Sequence, residues 1–125
     1  MILDTNALSA YADGVAGAVT AVDEADSIEL PVIALGEYRF GVSYSRRIRE
    51  YEAWLTKFLR VCRVLEITEE TAESYARVRS ELKDSGTPIP SNDLWIAALS
   101  RQFSLPVLSR DRHFDVVQGL RRVAW

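Results

Sequence analysis

Apolar and polar positions along the chain fall into two alternating patterns. Short apolar runs occupy Met1–Leu3, Leu30–Ile33, Val64–Ile67 and Leu105–Leu108, with a weaker one at Arg122–Ala124. Most are too brief for helices and read as strands. Between them, apolar residues recur at helical spacing over Asn6–Asp13, Ala16–Ala25, Ala34–Leu59, Glu69–Lys83 and Asn92–Phe103, the third with a break near Ser43–Arg47. The stretch KDSGTPIPSND contains Gly86, Pro88 and Pro90, which forbid a continuous helix, and reads as a loop. Strands apolar on both faces, alternating with helices, predict an α/β fold: a three-layer α/β/α sandwich around a mostly parallel sheet, because right-handed crossovers put helices on both faces. In open sheets of this kind ligands bind beyond the carboxyl ends of the strands.

Acidic residues gather at those ends. Asp4 directly follows Leu3, Glu37 follows the run LPVI after Ala34, Leu35 and Gly36, and Asp111 follows the run LPVL after Ser109 and Arg110. Asp93 opens a helix whose apolar face is Leu94, Ala97 and Ala98. If that helix starts at the same edge, four carboxylates converge. Each has an ordinary explanation taken singly: Asp93 and Glu37 as first-turn helical acids, Asp111 as a turn residue in SRDRH. Asp4 resists it most, since an acid at the end of a buried central strand is costly without a partner. Their shared placement points to a divalent cation that offsets the mutual repulsion, and to hydrolysis of a phosphate ester. Neighbouring polar residues fit a supporting role: Thr5 and Asn6 beside Asp4, Asn92 beside Asp93, and Ser109 close to Asp111, although capping of the first helix explains Thr5 and Asn6 equally well.

Composition narrows the chemistry. At 125 residues, 48% hydrophobic and 26% charged, the chain has the balance of one domain spanning 1–125. No apolar stretch approaches the roughly 20 residues that span a bilayer, so a cytoplasmic protein without a membrane partner is expected. Cys62 is the only cysteine, which excludes an internal disulfide and a cysteine-rich zinc cluster, and its apolar surroundings suggest a small buried hydrophobe. His113 is the only histidine. With no histidine pair available, the metal is expected to be oxygen-ligated Mg2+ or Mn2+, with His113 outside the site. A net charge of -3 argues against coating nucleic acid by bulk electrostatics, yet Arg39, Arg46, Arg47, Arg110 and Arg112 are candidates for holding phosphates locally.

The stretches MILDTNALSAY, LGEYRFG and PIPSNDLWIAALSRQFSLPVLSRDRHF resemble the successive motifs of PIN-domain toxins of the VapC type, and the resemblance runs from Met1 to about Leu120. It implies a parallel-sheet α/β/α fold and a Mg2+- or Mn2+-dependent endoribonuclease that a cognate antitoxin neutralises. It also implies Asp4, Glu37, Asp93 and Asp111 as the four acids, with Asp4 and Asp93 the surest metal ligands and the others contributing directly or through water. Ser109 stands where the family more often has threonine, which keeps the hydroxyl. RNA in single-stranded or loop form is the expected substrate, its bases stacking on aromatics such as Tyr38, Tyr44 or Trp95 unless these belong to the core. The segment RFGVSYSRRIREYEAWLTKFL is a candidate for antitoxin binding or self-association as readily as for core packing, and a homodimer is carried over from the family.

Two other readings compete. A phosphatase with Asp4 as covalent nucleophile expects a second aspartate where Asn6 stands and a phosphate-binding lysine near a later strand, whereas the lysines are Lys57 and Lys83. A non-catalytic PIN-like protein-binding module would keep the fold without the reaction, and it has no need of all four acids.

Overall fold

The computed structural model describes residues 1–125. Five strands, β1 (Ile2–Leu3), β2 (Glu29–Pro31), β3 (Arg63–Leu65), β4 (Val107–Leu108) and β5 (Arg122–Val123), form one sheet in the order β3-β2-β1-β4-β5. Every neighbouring pair is parallel. The chain builds outward from β1 to β2 and β3, then returns to β4 on the other side of β1. The gap between β1 and β4 is therefore a topological switch point, where the flanking connections diverge and leave a crevice at the carboxyl ends.

Successive side chains of a strand point to opposite faces, and here each face has its own core. Ile2 and Val107 pack with Val78, Leu82, Ile96, Leu99 and Phe114. Their neighbours Leu3 and Leu108 pack on the other side with Leu8, Leu30, Leu55 and Phe58. The first core is covered by α5 (Glu69–Asp84) and α6 (Ser91–Phe103), the second by α1 (Thr5–Ala12), α3 (Val32–Ser43) and α4 (Ile48–Phe58). α2 (Ala16–Asp23) contributes Val22 to the second core. Each fully buried aliphatic side chain contributes about 1.5–3 kcal/mol relative to exposure. No helix is long and apolar enough to cross a membrane.

The helices predicted from spacing form within a few residues of their expected bounds, and the break near Ser43–Arg47 separates α3 from α4. α5 begins at a reciprocal cap in which the Thr71 N–H donates to Thr68 Oγ1 at 3.4 Å and the Thr68 N–H donates to Thr71 Oγ1 at 3.0 Å. One boundary differs in a way that affects the site. The expected strand Leu30–Ile33 ends at Pro31, and Val32 and Ile33 form the first turn of α3. Pro31 supplies the extended residue that precedes the helix, with ψ 137°. The strand instead starts earlier, at Glu29, whose charge hides it from a search for apolar runs.

Candidate active site

Asp4 emerges from the carboxyl end of the central strand with 4% of its surface exposed. It caps α1 itself: Oδ1 accepts the Ala7 N–H at 2.7 Å. Thr5 and Asn6, expected to cap this helix, are its first two residues and have no hydrogen bond to the carboxylate. That role falls to Ser109, fully buried past the end of β4, whose hydroxyl donates to Asp4 Oδ2. The same Ser109 Oγ accepts the Asp111 N–H at 2.9 Å. One hydroxyl thus links the ends of the two strands that flank the switch point and fixes the turn that presents Asp111.

Asp93 reaches the same place from the first turn of α6, which follows Pro90 and has no side-chain cap. Asn92 is exposed and makes no hydrogen bond there. Asp4 feels the charges of both Asp93 and Asp111, so these three acids form one electrostatic unit. Burial, opposed by the Ser109 and Ala7 hydrogen bonds and reinforced by the two neighbouring carboxylates, pushes the Asp4 carboxyl from an ordinary 3.8 up to about 6. Burial also raises Asp93, against a lowering contact from His113, with Asp111 adding to the rise. No lysine or arginine forms an ion pair with any of the three.

Glu37 stands apart. Because α3 starts at Val32, Glu37 lies in its second turn, half-buried, rather than at a strand end. It is not among the groups that perturb Asp4 or Asp93.

His113, expected outside the site, faces it. Asp111 caps a 3-10 helix, Arg112–Val116, by accepting the His113 N–H at 2.9 Å, and this bend carries the imidazole back over the acids. Nδ1 lies 3.0 Å from Asp93 Oδ2 and 2.9 Å from Asp111 Oδ1. The turn residues between Asp111 and the buried Phe114 gave no periodic signal from which to predict this.

The donor set fits a divalent cation. Ligand atoms of Asp93, Asp111 and His113 all lie within 4.8 Å of one another, beside a buried Asp4 without a cationic partner. The largest concavity lies elsewhere, at the amino end of the sheet around Met1, Gly17 and Arg121, and contains none of these acids.

The surrounding aromatics divide. Tyr38 is buried in the core with its hydroxyl unpartnered, and Trp95 stacks on Tyr75 with ring centroids 4.0 Å apart. Tyr44 remains 80% exposed and meets Phe40 edge-on. Among the arginines, Arg39 pairs with Glu52, Arg47 pairs with Glu50, and Arg110 lies over the Trp125 ring, while Arg46 and Arg112 are exposed. Cys62 is half-buried, and burial pushes its thiol up, away from reactivity.

Residues 1–120 match the family described as PIN domain. Ribonuclease VapC5 of Mycobacterium tuberculosis is 31% identical over 127 aligned positions, covering 98% of this chain and 90% of the relative. Among solved structures, DNA-bound VapBC from Salmonella typhimurium superposes with a TM-score of 0.88 at 24% identity, covering 99% of this chain and 96% of that one. VapBC-5 from Mycobacterium tuberculosis, a member of the VapBC family of toxin-antitoxin systems, superposes with a TM-score of 0.73 at 28% identity, covering 98% and 94%.

Proposed function

The chain belongs to the PIN-domain family, and from that premise we propose that it is a divalent-metal-dependent endoribonuclease, the toxin of a toxin-antitoxin pair. The observation that carries this reading is Asp4: a carboxylate 4% exposed, raised to about 6, with two more acids beside it and no lysine or arginine paired with any of the three. A protein does not gain stability from such a cluster, and a bound cation gives it a use.

Asp4, Asp93 and Asp111 are the residues that would hold the ion. When bound, Mg2+ or Mn2+ supplies charge neutralisation at the scissile phosphate and activation of water. The chain's own groups do the rest. Ser109 holds the Asp4 carboxylate in one orientation and, through the Asp111 N–H, ties the Asp111 turn to it. Glu37 or Asp111 orients the attacking water and accepts its proton. In-line attack then forms the bond from the water oxygen to phosphorus and breaks the one from phosphorus to the 3'-oxygen, which takes a proton from solvent, leaving a 5'-phosphate and a 3'-hydroxyl. Arg46 and Arg112, free of ion pairs, are the better placed of the candidate arginines to contact RNA phosphates.

Most of the apolar content of RFGVSYSRRIREYEAWLTKFL packs inward through Val42, Leu55 and Phe58, but Phe40, Tyr44 and Ile48 stay exposed. That residue supports an antitoxin contact on α3 and α4, with a second copy of the chain as the other family-derived occupant.

The test is direct. Purified protein should cleave single-stranded RNA with added Mg2+ or Mn2+, and EDTA, Asp4→Asn and Asp93→Asn should each stop it. Cleavage that survives all three would remove the proposal.

A further inference from the structure

We infer that the Nδ1 atom of His113 is a direct ligand of the cation held by Asp93 and Asp111, so that a nitrogen donor joins the carboxylates and the site favours Mn2+ over Mg2+. This rests on the metal-dependent reading of the site and specifies what binds there.

Geometry supports it first. Two donors at adjacent corners of an octahedron with bonds of about 2.1 Å are separated by about 3.0 Å. Nδ1 lies 3.0 Å from Asp93 Oδ2 and 2.9 Å from Asp111 Oδ1. Both Nδ1 separations therefore match adjacent corners of one coordination sphere, and ligand atoms of all three residues lie within 4.8 Å of one another. The histidine is also held from behind. Its N–H is bound by Asp111, and the next residue, Phe114, is fully buried in the core between the sheet and α6. A ring fixed at both its backbone and its neighbour presents Nδ1 at little further entropic cost.

Charge supports it second. As a mere hydrogen-bond partner, one half-exposed imidazole would leave Asp4 without a cationic partner and Asp111 with only the unbonded charge of Arg122, which is itself paired with Asp115. As a ligand, it adds a donor without adding negative charge. Imidazole suits the transition metals, whereas carboxylate, carbonyl and water suit Mg2+. An O,O,N set thus shifts preference toward Mn2+, a consequence that an all-carboxylate site would not have.

The experiment uses the full-length chain and Mn2+ itself. Pulsed electron paramagnetic resonance of the Mn2+-loaded protein should show modulation from a directly bonded 14N, and His113→Gln should abolish it. The same variant should weaken Mn2+ binding about 10- to 100-fold, while Mg2+, measured by competition, weakens less, so that the ratio of the two affinities falls. A thermal melt of His113→Gln checks that the fold is retained, as expected for a side chain 47% exposed. Mn2+ binding that depends on Asp93 but shows no 14N modulation overturns the inference and leaves the nuclease reading intact. So does an unchanged affinity ratio, or tighter metal binding by His113→Gln, which would mean that the imidazole occupies the cation's place instead of binding it. Absence of any Mn2+ binding by the unsubstituted chain overturns both.

Discussion

Two carboxylates are buried at opposite ends of adjacent parallel strands, and the protein treats them differently. Glu29, 6% exposed, begins β2 at the amino end of the sheet. Burial alone would raise it, but hydrogen bonds from the Met1 ammonium at 2.5 Å and the Ser27 hydroxyl at 2.6 Å, with the charges of Met1 and Arg63, outweigh burial and hold it below the ordinary 4.5. Asp4, at the carboxyl end of β1, has nearly the same exposure and two hydrogen bonds, yet its neighbours are acids and it rises to about 6. Burial is common to both; what separates them is whether a cation of the chain itself comes with the carboxylate. Glu29 is a finished ion pair. Asp4 has no such partner from the chain, and that is where the proposed metal ion would act.

That contrast can be broken in several ways. The largest effect is expected from Asp4→Asn, which should lower RNA cleavage on the order of 10³-fold. In the metal-free protein at pH 7 the same change should raise stability by about 2–3 kcal/mol, because a charge whose ionisation costs roughly two pKa units is removed. Urea denaturation and an RNA cleavage gel on the same preparation measure both. Loss of stability would mean that Asp4 is structural in the way Glu29 is.

Glu29→Gln should do the reverse, leaving cleavage intact and destabilising the fold by about 3 kcal/mol, since it strands a buried ammonium. The pH dependences should also oppose each other. The lowered Glu29 contributes stability that is present above pH 4.5 and is lost as pH falls below it. The raised Asp4 makes a contribution that is complete below pH 3.8 and is lost as pH rises through about 6. Denaturation of Asp4→Asn and Glu29→Gln across pH 3.5–8 isolates the two slopes.

Added cation gives the next effect. At a concentration about 100 times its Kd, Mn2+ should stabilise the protein by about 2.7 kcal/mol, read as a rise in Tm at pH 7. The rise should shrink at pH 5, where Asp4 binds a proton in preference, and vanish in Asp4→Asn. Ser109→Ala should have the smallest effect, about 1–2 kcal/mol of stability. It removes a hydrogen bond that lowers the Asp4 pKa, so the acid limb of the cleavage profile should move to higher pH while the rate at pH 8 changes less.

The parts of this contrast that could be read in the sequence follow from local pattern. The apolar run before Asp4, the LPVL run before Ser109 and Asp111, and the helical face behind Asp93 locate three acids at one edge, because strand order and helix direction fix where each element ends. What could not be read depends on contacts distant in the chain. Glu29 looks like a surface acid until the Met1 ammonium is placed beside it. Val32 and Ile33 are β-branched and suggest a strand, but they form the first turn of α3, which carries Glu37 into the second turn. His113 required the bend after Asp111, made by a side chain capping its own turn, and no periodicity encodes that direction.

The Ser109 hydroxyl reaches a carboxylate 105 residues earlier in the chain. Asp4 precedes Asp93, Ser109 and Asp111 in the order of synthesis, and β1 gains its β4 neighbour only after Val107 and Leu108 have been added. An incomplete chain on the ribosome therefore lacks an assembled site, whatever metal surrounds it. A chain that stops short of β4 has Asp4 but neither the Ser109 hydroxyl that orients it nor Asp111 beside it.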